Sequence, residues 1–297
     1  MMRPTDPRPQ DRVQVSSGRL PLIWTWLSAS AGVLAFAGSV FSLLQQTEIY
    51  GRETVLLFNA AIAQDVVNGL LVAPLLVILA FLARRGSMGS WLSLAGCLGF
   101  TAYNYLIYTF SIQFGPLFLV WTAVLGLSVF ALAGTLASVV PEAAHLVGRA
   151  ATGLTGWVLI ATSVLFTLLW LNEIFRDLLA GAPSTSASIW DVPTNPVHVL
   201  DLAFFLPGVF TSGVLLIREH VWGHATALGS LVFLGLTTLP ILLTPIVSFL
   251  RETPAGWATI MPIGALSVAL WVVFGRQLRS TRRQSRSIST EPVPAHG

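Results

Sequence analysis

Long apolar runs separated by short polar breaks make up most of this chain. Segments 20–47, 86–141, 150–172 and 220–250 contain no Asp, Glu, Lys or Arg. A backbone inside lipid has to satisfy its own hydrogen bonds, so runs of this kind predict helices of about 20 apolar residues each. The pattern therefore predicts an all-α, polytopic integral membrane protein.

Charges, prolines and glycines divide these runs into eight predicted transmembrane helices. The uncharged segment 86–141 is too long for one crossing, and the sequence Gln-Phe-Gly-Pro at 113–116 has the composition of a turn that splits it. The predicted spans are about 20–45, 54–83, 87–112, 116–140, 150–172, 197–217, 222–249 and 256–275.

The composition agrees with this class of protein. Hydrophobic residues make up 54% of the chain and charged residues 10%, whereas roughly a quarter of the residues of a soluble domain are charged. All 16 basic residues are arginines, which excludes a lysine nucleophile. The single cysteine, Cys97, excludes an intrachain disulfide. We expect no catalytic residue set, no cofactor, no metal and no nucleic-acid partner.

The arginines are distributed unevenly between the two sets of loops. If both chain ends lie in the cytoplasm, only Arg52, Arg176 and Arg251 fall in external loops, and the other arginines fall in cytoplasmic segments. Short cytoplasmic loops of membrane proteins are rich in Arg and Lys. The bias therefore predicts a cell-membrane protein with both termini inside and an even number of crossings.

This topology predicts four segments along the chain. They are a cytoplasmic N-terminus (1–19), a first four-helix membrane half (20–140), a second membrane half (150–275) and an Arg/Ser-rich cytoplasmic tail (276–297). Both polar ends have the composition of disordered chain. Beyond the lipid bilayer itself, anionic lipid is a candidate partner of the tail, at about 1 kcal/mol per arginine, although the tail can equally be a simple topology anchor.

The two halves share a sequence pattern that predicts a tandem 4+4 duplication. The sequence LLQQTEIY at 43–50 recurs as LLWLNEIF at 168–175, and prolines, arginines and glycines follow in the same order. Four helices per half would make the repeats parallel, with a pseudo-twofold axis along the membrane normal. Aligning Pro74 with Pro207 places Asp201 opposite Asn68 rather than opposite Asp65. Chance similarity between leucine-rich helices is the alternative.

Polar residues within the predicted helices concentrate toward the external side. An acid at mid-bilayer depth costs at least about 2.5 kcal/mol, so it normally faces protein or water and often marks a working site. Asp65 is the first candidate, with an interhelical hydrogen bond to Asn104 or Tyr108 as its structural alternative. The candidate substrate- or ion-binding residues are Asp65, Gln64, Asn68, Asn104, Tyr108, Asp201, His198, Glu48 and Glu173.

The longest predicted external loop, 176–196, contains a candidate lid. Trp190 lies near its middle, and long loops in compact folds are often lids. The second half also carries Pro207, Pro240 and Pro245, from which we expect a first half that binds and a second half that bends.

Three classes of function fit these features. The first is a transporter or a membrane protein that binds a small ligand or cation in an outward-facing acidic vestibule. The second is a sensor, accessory or structural membrane subunit in which the polar cluster locks the helices. The third, an enzyme acting on a lipid-linked substrate, has only Asp65 and Asp201 as a candidate acid–base couple.

Overall fold

The computed structural model describes residues 18–147 and 152–290, and for 284–290 it describes the backbone alone. These residues contain helices and no strand. Seven of the helices are long and apolar enough to cross a membrane, so the chain is a multi-pass membrane protein. Arg149 and the predicted disordered segments at 1–17 and 291–297 lie outside the described residues.

The predicted spans agree with the long helices to within a few residues at most ends. These are α1 (Leu22–Leu44), α2 (Val55–Arg84), α3 (Met88–Ser111), α4 (Phe118–Ala143), α5 (Gly153–Leu179), α6 (Pro196–Ile217), α7 (Val221–Leu250) and α8 (Ile260–Thr290). Only α3 is absent from the seven candidate membrane spans. The eighth crossing therefore stays a prediction.

Contacts between connections define two ends of the bundle. At one, called the Tyr50 end, Arg52 and Glu53 bond to the α3–α4 connection, and Arg251 after α7 bonds to Gln46. At the other, called the Arg84 end, Arg84 bonds to the Leu20 carbonyl before α1, while Thr155 of α5 bonds to Gln277 of α8. The long helices therefore run alternately between the same two ends.

The central helices are α3 and α7, which are the most buried. Their closest approach is at Gly96 and Gly229, where a Cβ on Gly96 would collide with the Gly229 backbone. A Cβ on Gly229 would lie 3.0 Å from the Gly96 nitrogen. Small residues at such a crossing let two helices pack backbone to backbone, which is the main source of helix association in lipid.

Helices α2 and α6 share an interruption at corresponding positions. Each contains a five-residue π-helical segment, Asn68–Val72 in α2 and Asp201–Phe205 in α6. The α-helical remainder of α2 or α6 follows each segment directly, and its second residue is a proline, Pro74 or Pro207. Proline removes an N–H from the helical ladder, and a widened turn is one way to absorb its ring. The offset between the two segments is 133 residues (201 minus 68).

The same offset of 133 relates several features that follow. The turns after α2 and α6 place Gly86 and Glu219 in the left-handed region, at φ +88° and +53°. Ser87 and His220 then cap α3 and α7 through their side chains. The contacting glycines Gly96 and Gly229 are also separated by this distance.

The two halves differ at the helices that begin them. The backbone helix breaks at Gln45, after α1, and a short helix Gln46–Tyr50 follows, whereas α5 continues without a break to Leu179. Glu48 and Glu173, which occupy matching places in the repeated sequence, therefore stand on different structures. In addition, α1 packs against both α2 and α4, whereas α5 packs mainly against α6 and meets α8 at few positions.

Helix α8 is longer than the sequence pattern indicated. The expected disorder from residue 277 is wrong as far as Thr290, because the helix continues through this part of the tail. Gln277 and Thr281 are buried, and the Thr155 hydroxyl donates a 2.9 Å hydrogen bond to the Gln277 side chain. The first turns of this Arg/Ser-rich segment are therefore packed against the bundle at the Arg84 end.

Candidate functional site

The Asp65 carboxylate lies in a closed cluster of hydroxyl groups between α1, α2 and α3. Ser39 donates to Oδ1 at 3.1 Å, Tyr108 donates to Oδ1 at 3.1 Å, and Tyr50 donates to Oδ2 at 2.6 Å. Asp65 is 1% exposed. Three donors on one buried acceptor satisfy most of its hydrogen-bonding capacity. This arrangement ties three helices together without a space for a ligand between the groups.

Aromatic packing encloses the cluster. The Tyr50 ring stacks on Tyr108 with centroids 6.5 Å apart, and Tyr108 stacks on Trp121 of α4 at 5.3 Å. Burial, followed by the nearby Asp65 carboxylate, raises the pKa of the Tyr50 hydroxyl well above its ordinary value. Tyr50 therefore keeps its proton and acts as a donor to Asp65.

The amides predicted on the same faces bond elsewhere. Gln64 donates to the Asn68 carbonyl oxygen at 3.0 Å, one helical turn away. The Nδ2 atoms of Asn68 and Asn104 are buried and have no hydrogen-bond partner among the described residues. Of the two interhelical partners expected for Asp65, Tyr108 makes the bond and Asn104 has no such bond.

The Asp201 carboxylate belongs to a second cluster, in the other half. The Trp170 indole of α5 donates to its Oδ2 at 2.8 Å, and the Tyr103 hydroxyl of α3 also bonds to it. Asp201 is buried at the start of the π-helical segment of α6. In each half, one carboxylate therefore links a tyrosine of the central helix α3 to the beginning of that half. Asp65 links Tyr108 to α1 and to the short helix after it, and Asp201 links Tyr103 to α5.

Glu173 and His198 extend this second cluster toward the Tyr50 end. The His198 ring packs on Trp170 with centroids 4.7 Å apart. Its Nε2 is buried, has no hydrogen-bond partner among the described residues, and lies 3.9 Å from a Glu173 carboxylate oxygen. Glu173 is half-buried, so this pair, unlike Asp65, lies at the boundary between protein and surroundings.

The predicted lid is a short helix, Thr185–Trp190, attached to the end of α5. Asp177 accepts hydrogen bonds from the Thr185 N–H and hydroxyl, and Glu173 accepts one from the Ser186 N–H at 3.1 Å. Trp190, half-buried, packs against the core cluster of the first half. The segment therefore rests across both halves, and Glu173 contributes to its attachment as well as facing His198.

The residues predicted as one vestibule fall into two clusters, and Glu48 is exposed and belongs to neither. Asp65 and Tyr108 define the first, and Asp201, His198 and Glu173 define the second. Sequence reasoning missed the donors Ser39, Tyr50, Tyr103 and Trp170. The sequence nevertheless contained a signal that could have identified them. Each is a polar or aromatic residue in the half of its helix that lies nearer the Tyr50 end.

Two cavities, of about 190 and 410 Å³, lie elsewhere and neither is lined by Asp65 or Asp201. The smaller is an apolar crevice between α3, α4, α6 and α7. No group of three or more His, Cys, Asp and Glu residues that could hold a metal is found in 18–147 and 152–290. Comparison with known proteins finds no matching family model and no significantly similar curated protein or solved structure.

Proposed function

We propose that this multi-pass membrane protein binds a small cation at the Tyr50 end of its second half. The observation that supports this function is the pair formed by Glu173 and the buried His198. The imidazole Nε2 has no partner within the described residues, and a carboxylate oxygen lies 3.9 Å from it. A buried polar atom without a partner costs stability, so its retention points to a group that completes it.

The geometry favours an organic ammonium ion over a transition metal. Two acceptor atoms 3.9 Å apart are too distant to bond to each other, yet both can accept from N–H groups of one ammonium. The Trp170 ring beside His198 offers an aromatic face, to which ammonium groups bind through cation–π attraction. Transition metals prefer three or more protein ligands, which this cluster does not provide.

Methylammonium chloride is expected to raise the Tm of the detergent-solubilised protein, relative to sodium chloride at equal ionic strength. A ligand at 100 times its Kd stabilises the native state by about 2.7 kcal/mol. Replacing Glu173 by Gln should abolish the shift, because the neutral amide no longer attracts the cation. Thermal unfolding followed by intrinsic fluorescence measures both effects.

Glu48→Gln is the matched control, since Glu48 occupies the same place in the repeated sequence but is exposed on the short helix Gln46–Tyr50 of the first half. It should keep the full methylammonium shift. The proposed function is wrong if the wild-type protein shows no shift, or if Glu173→Gln retains it.

The second candidate function is an accessory or structural membrane subunit. It is favoured by the Asp65 cluster, in which the acid expected to work is closed and bonded to Ser39, Tyr50 and Tyr108. Our proposal differs from the expectation of a binding first half, because it places the cation in the second half; bending of the second half stays a prediction. An acid–base couple of Asp65 with Asp201 gains no support, because the two carboxylates bond to different donors in different halves.

For the architecture, we propose eight crossings built by tandem duplication. The support is the constant offset of 133 residues, which relates the π-helical segments, the left-handed turns and the glycines of the α3–α7 crossing. Gly96 and Gly229 also contact each other, and contact between equivalent positions is a property of a twofold axis. These coincidences of backbone geometry favour duplication over chance similarity of apolar helices.

Reporter fusions provide the test of topology. A fluorescent protein and alkaline phosphatase, fused in turn to the N-terminus and to the C-terminus, are expected to report the cytoplasmic side at both ends. This follows from an even number of crossings and from the arginine distribution. Opposite locations of the two ends would contradict the eighth crossing by α3.

A further inference from the structure

The larger cavity lies at the Arg84 end, between the α2–α3 turn and the polar part of α8. Its volume is about 410 Å³, and its lining includes Gly86, Ser87, Ser90 and the Arg282 side chain. The first turn of α3 begins at this cavity, so N–H groups that lack helical partners are close to it. A guanidinium group and a helix N-terminus both favour a negatively charged occupant.

The second half supports this interpretation, on the basis of the proposed duplication, because it supplies a negative group of its own at the equivalent turn. Glu219 corresponds to Gly86 at the offset of 133. Its carboxylate lies 3.0 Å from the His224 ring in the first turn of α7, and it accepts a 2.7 Å hydrogen bond from Thr152. The first half has Gly86, which carries no side chain, at the position equivalent to Glu219, and the larger cavity lies beside Gly86.

The charged residues around the larger cavity are predominantly arginines. Arg19 approaches the turn closely enough that its Cγ would lie 4.0 Å from a Cβ built on Gly86, and Arg84 and Arg85 precede the turn directly. No salt bridge to Arg282 is present among the described residues. Glu142 lies at the same end, near Gly18, but does not line the cavity.

The depth of the cavity identifies the source of the anion. It is located at the α2–α3 turn, where the apolar part of α2 ends at Arg84, and beside the polar part of α8 that follows the end of its apolar run before Arg276. This is the level of lipid headgroups, and polybasic segments at that level attract anionic lipids. A cavity of this volume has room for a phosphate group and part of its headgroup.

We propose that this cavity binds the phosphate of one anionic phospholipid headgroup, with Arg282 and the first turn of α3 as its principal contacts. The site is separate from the cation site of the second half, which lies at the opposite end of the bundle.

The experiment uses the full chain in nanodiscs of phosphatidylcholine with or without a minority of phosphatidylglycerol. Native mass spectrometry after mild delipidation counts the retained phosphatidylglycerol. The wild-type protein should retain one tightly held molecule, and Arg282→Gln should weaken its retention roughly tenfold, through loss of a charge-assisted contact. Equal Tm values in phosphatidylcholine alone would establish that Arg282→Gln is folded.

Arg283→Gln is the matched control, because it removes the same charge from the next residue of α8, which does not line the cavity. It should retain the lipid as the wild type does. Equal losses in both variants would overturn the proposal in favour of diffuse attraction to the basic surface. Displacement of phosphatidylglycerol by inorganic phosphate at matched ionic strength would overturn the lipid as the source, and no retained lipid in the wild type would overturn the site.

Discussion

Replacing Asp65 by alanine is expected to lower the free energy of unfolding of the solubilised protein by about 1–3 kcal/mol, the cost of leaving a buried donor without its acceptor. The variant removes the shared acceptor of Ser39, Tyr50 and Tyr108 from a buried region. Tyr50 keeps the Ser42 hydroxyl at 3.3 Å as a weaker acceptor. Tyr108 likewise keeps the Ala61 carbonyl at 3.2 Å, so the full desolvation cost does not fall on all three groups. Unfolding in a detergent titration, followed by tyrosine and tryptophan fluorescence, measures the loss.

Asp65→Asn is the conservative control. The amide has nearly the same shape and keeps an acceptor oxygen, so a substantially smaller loss is expected than for alanine. Tyr50→Phe removes a single donor and should also have a smaller effect. If Asp65→Ala unfolded at the same detergent concentration as the wild type, the carboxylate would not hold the helices together. A role of Asp65 in binding a ligand or ion would then be favoured again.

The second large effect is expected at the crossing of the central helices. Gly96→Ala places a methyl group against the Gly229 backbone, so α3 and α7 must separate. Overpacking of this kind costs about 1–3 kcal/mol, and the higher helix propensity of alanine offsets at most about 1 kcal/mol of it. The Tm of the purified variant is the measurement.

Gly126→Ala is the matched control for this substitution, because a Cβ on Gly126 of α4 meets no other atom within 4 Å. It should be neutral or slightly stabilising. Gly229→Ala should destabilise in the same direction as Gly96→Ala but less, since its Cβ would approach the Gly96 nitrogen at 3.0 Å. Equal Tm values for Gly96→Ala and Gly126→Ala would contradict the close packing of the two central helices.

The helical spans could be predicted from the sequence because lipid imposes a simple rule. An apolar run must form a helix, and charges and prolines divide the runs, so α2, α3, α6 and α7 begin and end within a residue or two of the predictions. The length of α8 could not be predicted in the same way. The segment after Gly275 is polar, and the burial of Gln277 and Thr281 that accompanies its helical structure is not visible in the sequence pattern.

The division of the candidate residues into two clusters could not be predicted as well from the sequence. Depth along a helix follows from residue number, but the direction a side chain takes depends on how neighbouring helices are rotated. Ser39 is one of several small buried residues of α1, which are equally suited to helix packing, and only the position of α1 against α2 makes it a donor to Asp65. Likewise, the break at Gln45 separates Glu48 from the environment of Glu173, although the surrounding sequences match.

The seam between α5 and α8 has few contacts, and this gives the second half a degree of freedom that the first half does not have. A sideways displacement of α1 would disrupt its packing against two helices, whereas α5 packs mainly against α6 and has few contacts with α7 and α8. Trp170 and Glu173 are carried by α5, and His198 is carried by α6. A shift of α5 along α6 would therefore change the distance between the Glu173 carboxylate and the His198 imidazole, which is 3.9 Å in this structure.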